Sequence, residues 1–129
     1  MNYRENILSK KPTQLPVYND GNFLIYEINQ TKDVYPKEFL KLVKKENMWF
    51  KELSISNNLK FEAEQRNIKI TMKIRIPQTK EIDSLTVLKI GNNYHKVYNA
   101  YHFTNSEGFK ETDLTLVEYI NAIVEEKNE

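Results

Sequence analysis

One stretch constrains the fold more than any other. From Asn67 to Ile76 the chain reads Asn-Ile-Lys-Ile-Thr-Met-Lys-Ile-Arg-Ile, so Ile68, Ile70, Met72, Ile74 and Ile76 alternate with Lys69, Thr71, Lys73 and Arg75. A period of two holds an apolar stripe on one side of a strand, which no helix does. The apolar face is expected in a core, and the basic face against solvent or something negatively charged. Pro77 removes a backbone donor and ends the ladder.

The rest of the chain follows the same pattern, punctuated by turns. Leu85 to Ile90 reads as a strand that turns through Gly91-Asn92-Asn93 into a strand over Tyr94 to Phe103. Asn105 to Gly108 then leads into Phe109 to Glu118. Glycine and asparagine tolerate the positive φ of tight hairpin turns. An earlier hairpin is expected between Leu15–Tyr18 and Phe23–Ile28 across Gly21, with a further strand over Met48 to Ile55. Pro36 to Glu46 reads either as a short helix, with Phe39, Leu40 and Val43 on one stripe, or as an irregular strand. Leu116, Ile120, Ile123 and Val124 suggest a short helix after the last strand. The expectation is a mainly β fold, a small antiparallel β-barrel or strongly twisted sheet with one or two short helices. At 129 residues it fits one domain over 1–129, with a helical insertion expected at about 31–47.

Composition narrows the chemistry. The chain has no cysteine, which excludes disulfides, thiolate zinc sites and cysteine nucleophiles. Its 19 basic and 18 acidic residues leave a net charge of +1, short of the basic excess expected of a general DNA coat. No run reaches the ~18 apolar residues that span a bilayer, so no membrane partner is expected. Met1 to Pro12 carries charge without an apolar core, so a signal-free, cytoplasmic start is expected. No glycine-rich phosphate loop, G-x-S-x-G or H-E-x-x-H occurs, and neither an enzyme nor a cofactor is expected.

The remaining candidates are pairs and faces. His95 and His102 lie seven apart on one expected strand, and an odd separation puts them on opposite faces, out of reach of a shared metal. Glu62 and Glu64, and Glu111 and Asp113, are each two apart, which on a strand gives one shared face. That geometry allows a carboxylate pair, but a solvated strand face is the favoured reading, since no basic or nucleophilic partner stands beside either pair. Lys69, Lys73 and Arg75 form a basic face that reads as a contact for DNA or an acidic subunit surface, or as a solvated face. Tyr94 and Tyr98 are expected on one side of their strand and Tyr101 and Phe103 on the other. Aromatics on both sides suit a strand packed by core and by a neighbouring subunit, and sheet aromatics can also stack bases.

The order of these parts resembles the head-closure, or head–tail joining, proteins of long-tailed bacteriophages. The resemblance runs from Trp49 through Tyr119. An aromatic strand, Met48-Trp49-Phe50, is followed by a polar segment, Leu59 to Arg66. An alternating strand ends in a basic residue, Ile70 to Arg75. A spacer with Ile82-Asp83 leads to Val87 through Tyr94, and a last hairpin ends in Leu114-Thr115-Leu116-Val117. Family members usually carry a simple hairpin in the first half, where Thr31 to Asn47 looks like an insertion. A tail-completion protein or a related neck adaptor would share the pattern.

The resemblance implies a structural protein of the virion neck, assembled in the host cytoplasm. It implies a homo-oligomeric ring below the portal and its adaptor that retains packaged double-stranded DNA without sequence specificity. A tail terminator or tail tube protein would dock on the other side, and the free subunit can be monomeric. It also implies a loop near the channel that acts as a plug. By position that segment is Ser54 to Arg66, with a flexible turn at Asn57 and Asn58 and with Lys60, Glu62, Glu64, Gln65 and Arg66 presented to the channel or a neighbour. The alternative reading is a small nucleic-acid-binding barrel that uses Lys69, Lys73, Arg75 and sheet aromatics such as Tyr98.

Overall fold

Alternation drives seven segments of the described residues into strands, and closure joins six of them edge to edge. The computed structural model describes residues 15–120 and 122–125. The strands are β1 (Gly21–Gln30), β2 (Glu38–Leu42), β3 (Met48–Leu53), β4 (Ile70–Pro77), β5 (Thr86–Ile90), β6 (Asn93–Thr104) and β7 (Lys110–Glu118). One helix, α1 (Asn57–Gln65), joins β3 to β4. The sheet order is β2-β1-β3-β4-β7-β6-β5, all antiparallel, and β1 also pairs with β5. That last pairing closes six strands into a barrel and leaves β2 outside, on the far edge of β1. Closure leaves a barrel strand no unpaired row of N–H and C=O groups.

The barrel interior is the main core. Phe23, Ile25, Phe50, Ile74, Ile76, Leu88, Leu114 and Leu116 are buried there, with Phe23 and Phe50 ring centroids 6.2 Å apart. A second, smaller cluster lies on the outside of β1 and β5. There β2 and the C-terminal segment cover Tyr26, Ile28 and Val87 with Leu40, Tyr119, Ala122 and Val124. Leu40 is fully buried in it, and its N–H donates to the Ile123 carbonyl at 2.7 Å.

Two β-bulges flank β7 at the same level. On β4, Ile70 stands opposite Val117 and Met72 opposite Leu116, so Thr71 is extra. On β6, Val97 stands opposite Leu116 and Asn99 opposite Thr115, so Tyr98 is extra. A bulge inserts one residue, bends its strand and reverses the in-out order beyond it. The single apolar stripe expected over Ile68 to Ile76 is therefore broken. Met72, Ile74 and Ile76 face the interior, whereas Ile70 shares the outer side with Val117.

Several sequence expectations are corrected. Of the two readings of Pro36 to Glu46 the strand holds and the helix does not, because the edge of β1 beyond its pairing with β3 recruits Glu38 to Leu42, whose Leu40 completes the outer cluster. Among the described residues no helix follows β7; Val124 makes a parallel bridge to Leu40 instead. Leu15 to Tyr18 forms no strand, and β1 pairs with β2, β3 and β5. Gly21 is the first residue of β1 rather than a turn residue. A Cβ there would come within 2.7 Å of the Phe50 ring, so glycine admits the ring rather than a turn. Gly91 and Gly108 do serve turns, with φ of 61° and 88°.

Candidate functional site

The segment Ser54 to Arg66, expected as a flexible loop, is mostly helix. Ser56 caps it, its hydroxyl accepting from the Leu59 N–H at 3.1 Å. Asn57 and Asn58 are its first two residues rather than a turn. At the far end Asn67 adopts φ 57° and donates to the Glu64 carbonyl at 3.0 Å, while Ile68 donates to the Ala63 carbonyl at 2.8 Å. That is the left-handed stop by which helices satisfy their last carbonyls. A stop at each end makes the segment a defined helix rather than a free loop.

The helix also separates residues that a strand would have kept together. Glu62 and Glu64 do not share a face. Glu62, with Leu59, Ala63 and Arg66, lines a recess of about 380 Å³ closed by Tyr98, Asn99 and Thr115 of the barrel wall. Lys60 and Glu64 line a different hollow, with Ile68, Lys69 and Ile70. Ser54, Asn57, Asn58 and Gln65 are exposed and belong to neither. The recess depends on the β6 bulge, which carries Tyr98 outward with 40% of its surface exposed. Bulges recur where a sheet must re-aim a side chain. Ala63 is the one buried residue of the helix, so α1 meets the wall through a methyl group and leaves room beside it.

The basic trio is not one patch. Arg75 faces outward and is paired within the chain: its Nε and one terminal nitrogen donate to the two Asp113 oxygens at 2.7 and 3.0 Å. Its guanidinium carbon also lies 4.9 Å from the centre of the Phe103 ring. The bond to Asp113 raises the Arg75 pKa and fixes its charge. Lys73 lies on the same outer side, opposite Thr115 and Leu53, while Lys69 precedes the strand beside α1. Glu111 and Asp113 do share a face, as their spacing predicts, but both have partners, contrary to expectation. Glu111 accepts from the Tyr18 hydroxyl at 2.7 Å and from the Asn105 side chain at 3.0 Å. Burial, and then the bond to Glu111, push the Tyr18 phenol above its ordinary value. The cluster fastens the approach to β1 and the β6–β7 turn onto the outer wall.

The histidines also change places. The Tyr98 bulge brings His95 and His102 to the same side of β6, opposite Glu118 and Thr112 in the row that includes Leu114 and Leu116. The same shift puts Tyr101 and Phe103 on the outer side with Tyr94, rather than opposite it; the first two rings stack 5.6 Å apart. His95 Nδ1 is 2.8 Å from the Thr71 hydroxyl, and His102 Nδ1 is 2.7 Å from the Thr112 hydroxyl. Each ring thus has its own hydroxyl partner, and no group of three or more metal-ligating side chains occurs among the described residues.

Burial lowers the His95 pKa below its ordinary value of 6.5, partly offset by Glu118. Its contribution to stability is therefore present above the unfolded-state value and is lost as the pH falls below about 6.5. The melting temperature is expected to drop between pH 7 and pH 5, and to drop less in His95→Gln. Equal slopes in the two proteins would assign the dependence to other groups.

Fold and outer wall together define a class: among the described residues, a closed six-stranded antiparallel β-barrel carrying one strand and one helix outside it. No family model and no curated protein sequence matches the chain. Among solved structures, it is similar to the solution structure of protein SF1141 from Shigella flexneri 2a, with a TM-score of 0.51 and 12% identity. The match covers 81% of this chain and 96% of that one. At that identity the likeness is one of fold.

Proposed function

We propose that this barrel is a structural subunit of a bacteriophage neck, a head-closure or head–tail joining protein. In this reading it forms a ring between the portal-side adaptor and the tail, retains double-stranded DNA and offers the tail a docking surface. The order of strand and helix from Trp49 to Tyr119 supports the resemblance. The observation that carries the assembly reading is the outer wall. There Arg75 is paired with Asp113, and Glu111 accepts from Tyr18 and Asn105. Trp49, Phe61, Tyr98 and Tyr101 are left 40–61% exposed. Exposed aromatics set among paired charges suit contact with other proteins.

The exposed residues Ser54, Asn57, Asn58, Lys60, Glu64 and Gln65 face a neighbour or the channel in this reading, carried on a helix rather than a free loop. Acidic groups beside a channel let DNA pass without sticking, since like charges repel it. The test is to assemble particles without this chain. Heads that lose packaged DNA or stay tailless are the expected result. Full, tailed, infective particles lacking the chain would overturn the neck role.

A further inference from the structure

The β1–β2 connection carries at its tip two neighbouring apolar side chains that none of the described residues covers. Val34 and Tyr35 are 90% and 84% exposed, the highest values among the large hydrophobic residues described. Their loop is closed at its base: the Thr31 N–H donates to the Lys37 carbonyl, and the Lys37 N–H to the Thr31 hydroxyl, both at 3.0 Å. The apolar tip is thus held away from the barrel on a pinned stem. Exposing two such side chains in water is unfavourable, and a pinned stem lowers the entropy lost when they are buried.

The recess under Tyr98 complements this tip. It is open, walled by Leu59, Ala63 and Tyr98, and rimmed by one negative and one positive group, Glu62 and Arg66. The tip carries both signs as well, in Lys32, Asp33 and Lys37, all exposed. The two features lie on opposite walls. In the closed order β1-β3-β4-β7-β6-β5, β7 is three strands from β1 in either direction. The tip follows β1, and the recess lies over β7 and the adjacent bulge of β6. A tip on one wall and a socket on the other can satisfy each other only between copies, and such a contact repeats head to tail.

We propose that copies of this chain associate head to tail, with the Val34–Tyr35 tip of one seated in the recess between α1 and Tyr98 of the next. Lys32 or Lys37 then pairs with Glu62, and Asp33 with Arg66. The inference supplies the subunit contact of the ring and rests on that reading.

The chain has no cysteine, so introduced thiols report on the contact alone. Tyr35→Cys protein is mixed with Tyr98→Cys protein at high concentration under mild oxidation. The expected product is a covalent heterodimer severalfold in excess of either homodimer, and a Tyr35→Cys/Tyr98→Cys chain should give a ladder of oligomers. Heterodimer no more abundant than the homodimers would overturn the contact. Val34→Ser/Tyr35→Ser should weaken self-association in sedimentation at least tenfold, and unchanged association would overturn it equally. A ladder alongside normal particles made without the chain overturns the neck role and leaves the contact standing. No ladder alongside DNA-free or tailless heads overturns the contact and leaves the neck role standing.

Discussion

Leu114→Ala is expected to lower the stability of the barrel by about 3 kcal/mol, read as a fall in the urea midpoint without a change in slope. Leu114 is 0% exposed and lies between Ile74 on β4 and Ala100 on β6, both facing the interior beside it. Removing its side chain leaves a hole that six hydrogen-bonded strands cannot collapse around, so the cavity adds to the lost transfer energy. Tyr101→Ala on the outer side, where the ring is 61% exposed, should cost well under half as much. Similar losses for both would show that the wall, not the interior, holds the barrel together.

Arg75→Ala is the other large effect, expected at about 2–3 kcal/mol. The substitution leaves Asp113 without either bidentate partner, and Asp113 and Glu111 are only 8% and 4% exposed. It also removes the group lying on the Phe103 ring. The loss is part packing and part stranded charge, and a double-mutant cycle separates them. Arg75→Ala/Asp113→Ala should recover a kcal/mol or so of the single loss, because no carboxylate is then left stranded at 113. A double variant as unstable as the sum of the two singles would mean that the pair contributes no coupling.

Most strands were legible, and strand phase was not. The segments around Ile70–Ile76, Thr86–Ile90 and the two turns at Gly91 and Gly108 follow from local pattern, because alternation and positive φ are properties of a few adjacent residues. The bulges at Thr71 and Tyr98 left no such mark. A period-two reading carries straight through an inserted residue, and every assignment beyond it changes side. That one effect moved His102, Tyr101 and Phe103 to the other face, and it created the socket under Tyr98.

The strand β2 was legible only as one of two readings, for a different reason. Phe39, Leu40 and Val43 have helical spacing, but the free edge of β1 offers backbone partners that local preference cannot anticipate. Helix α1 did have a signal: Ser56 in a capping position, followed by Leu59-Lys60-Phe61-Glu62-Ala63-Glu64-Gln65, with few residues that disfavour a helix. Its surface is polar and buries only Ala63, a pattern it shares with a solvated loop.

The place where the C-terminal segment meets β2 has a mechanical consequence. The segment is tied to Leu40 by two backbone bonds, Leu40 N–H to Ile123 and Glu125 N–H to Leu40, at 2.7 and 2.9 Å. A pull on that end loads those bonds one after the other, while the barrel seam between β1 and β5 spans four residue pairs. The short tie acts as a fuse: it releases first and uncovers only the outer cluster, and the closed wall keeps its shape while it does so.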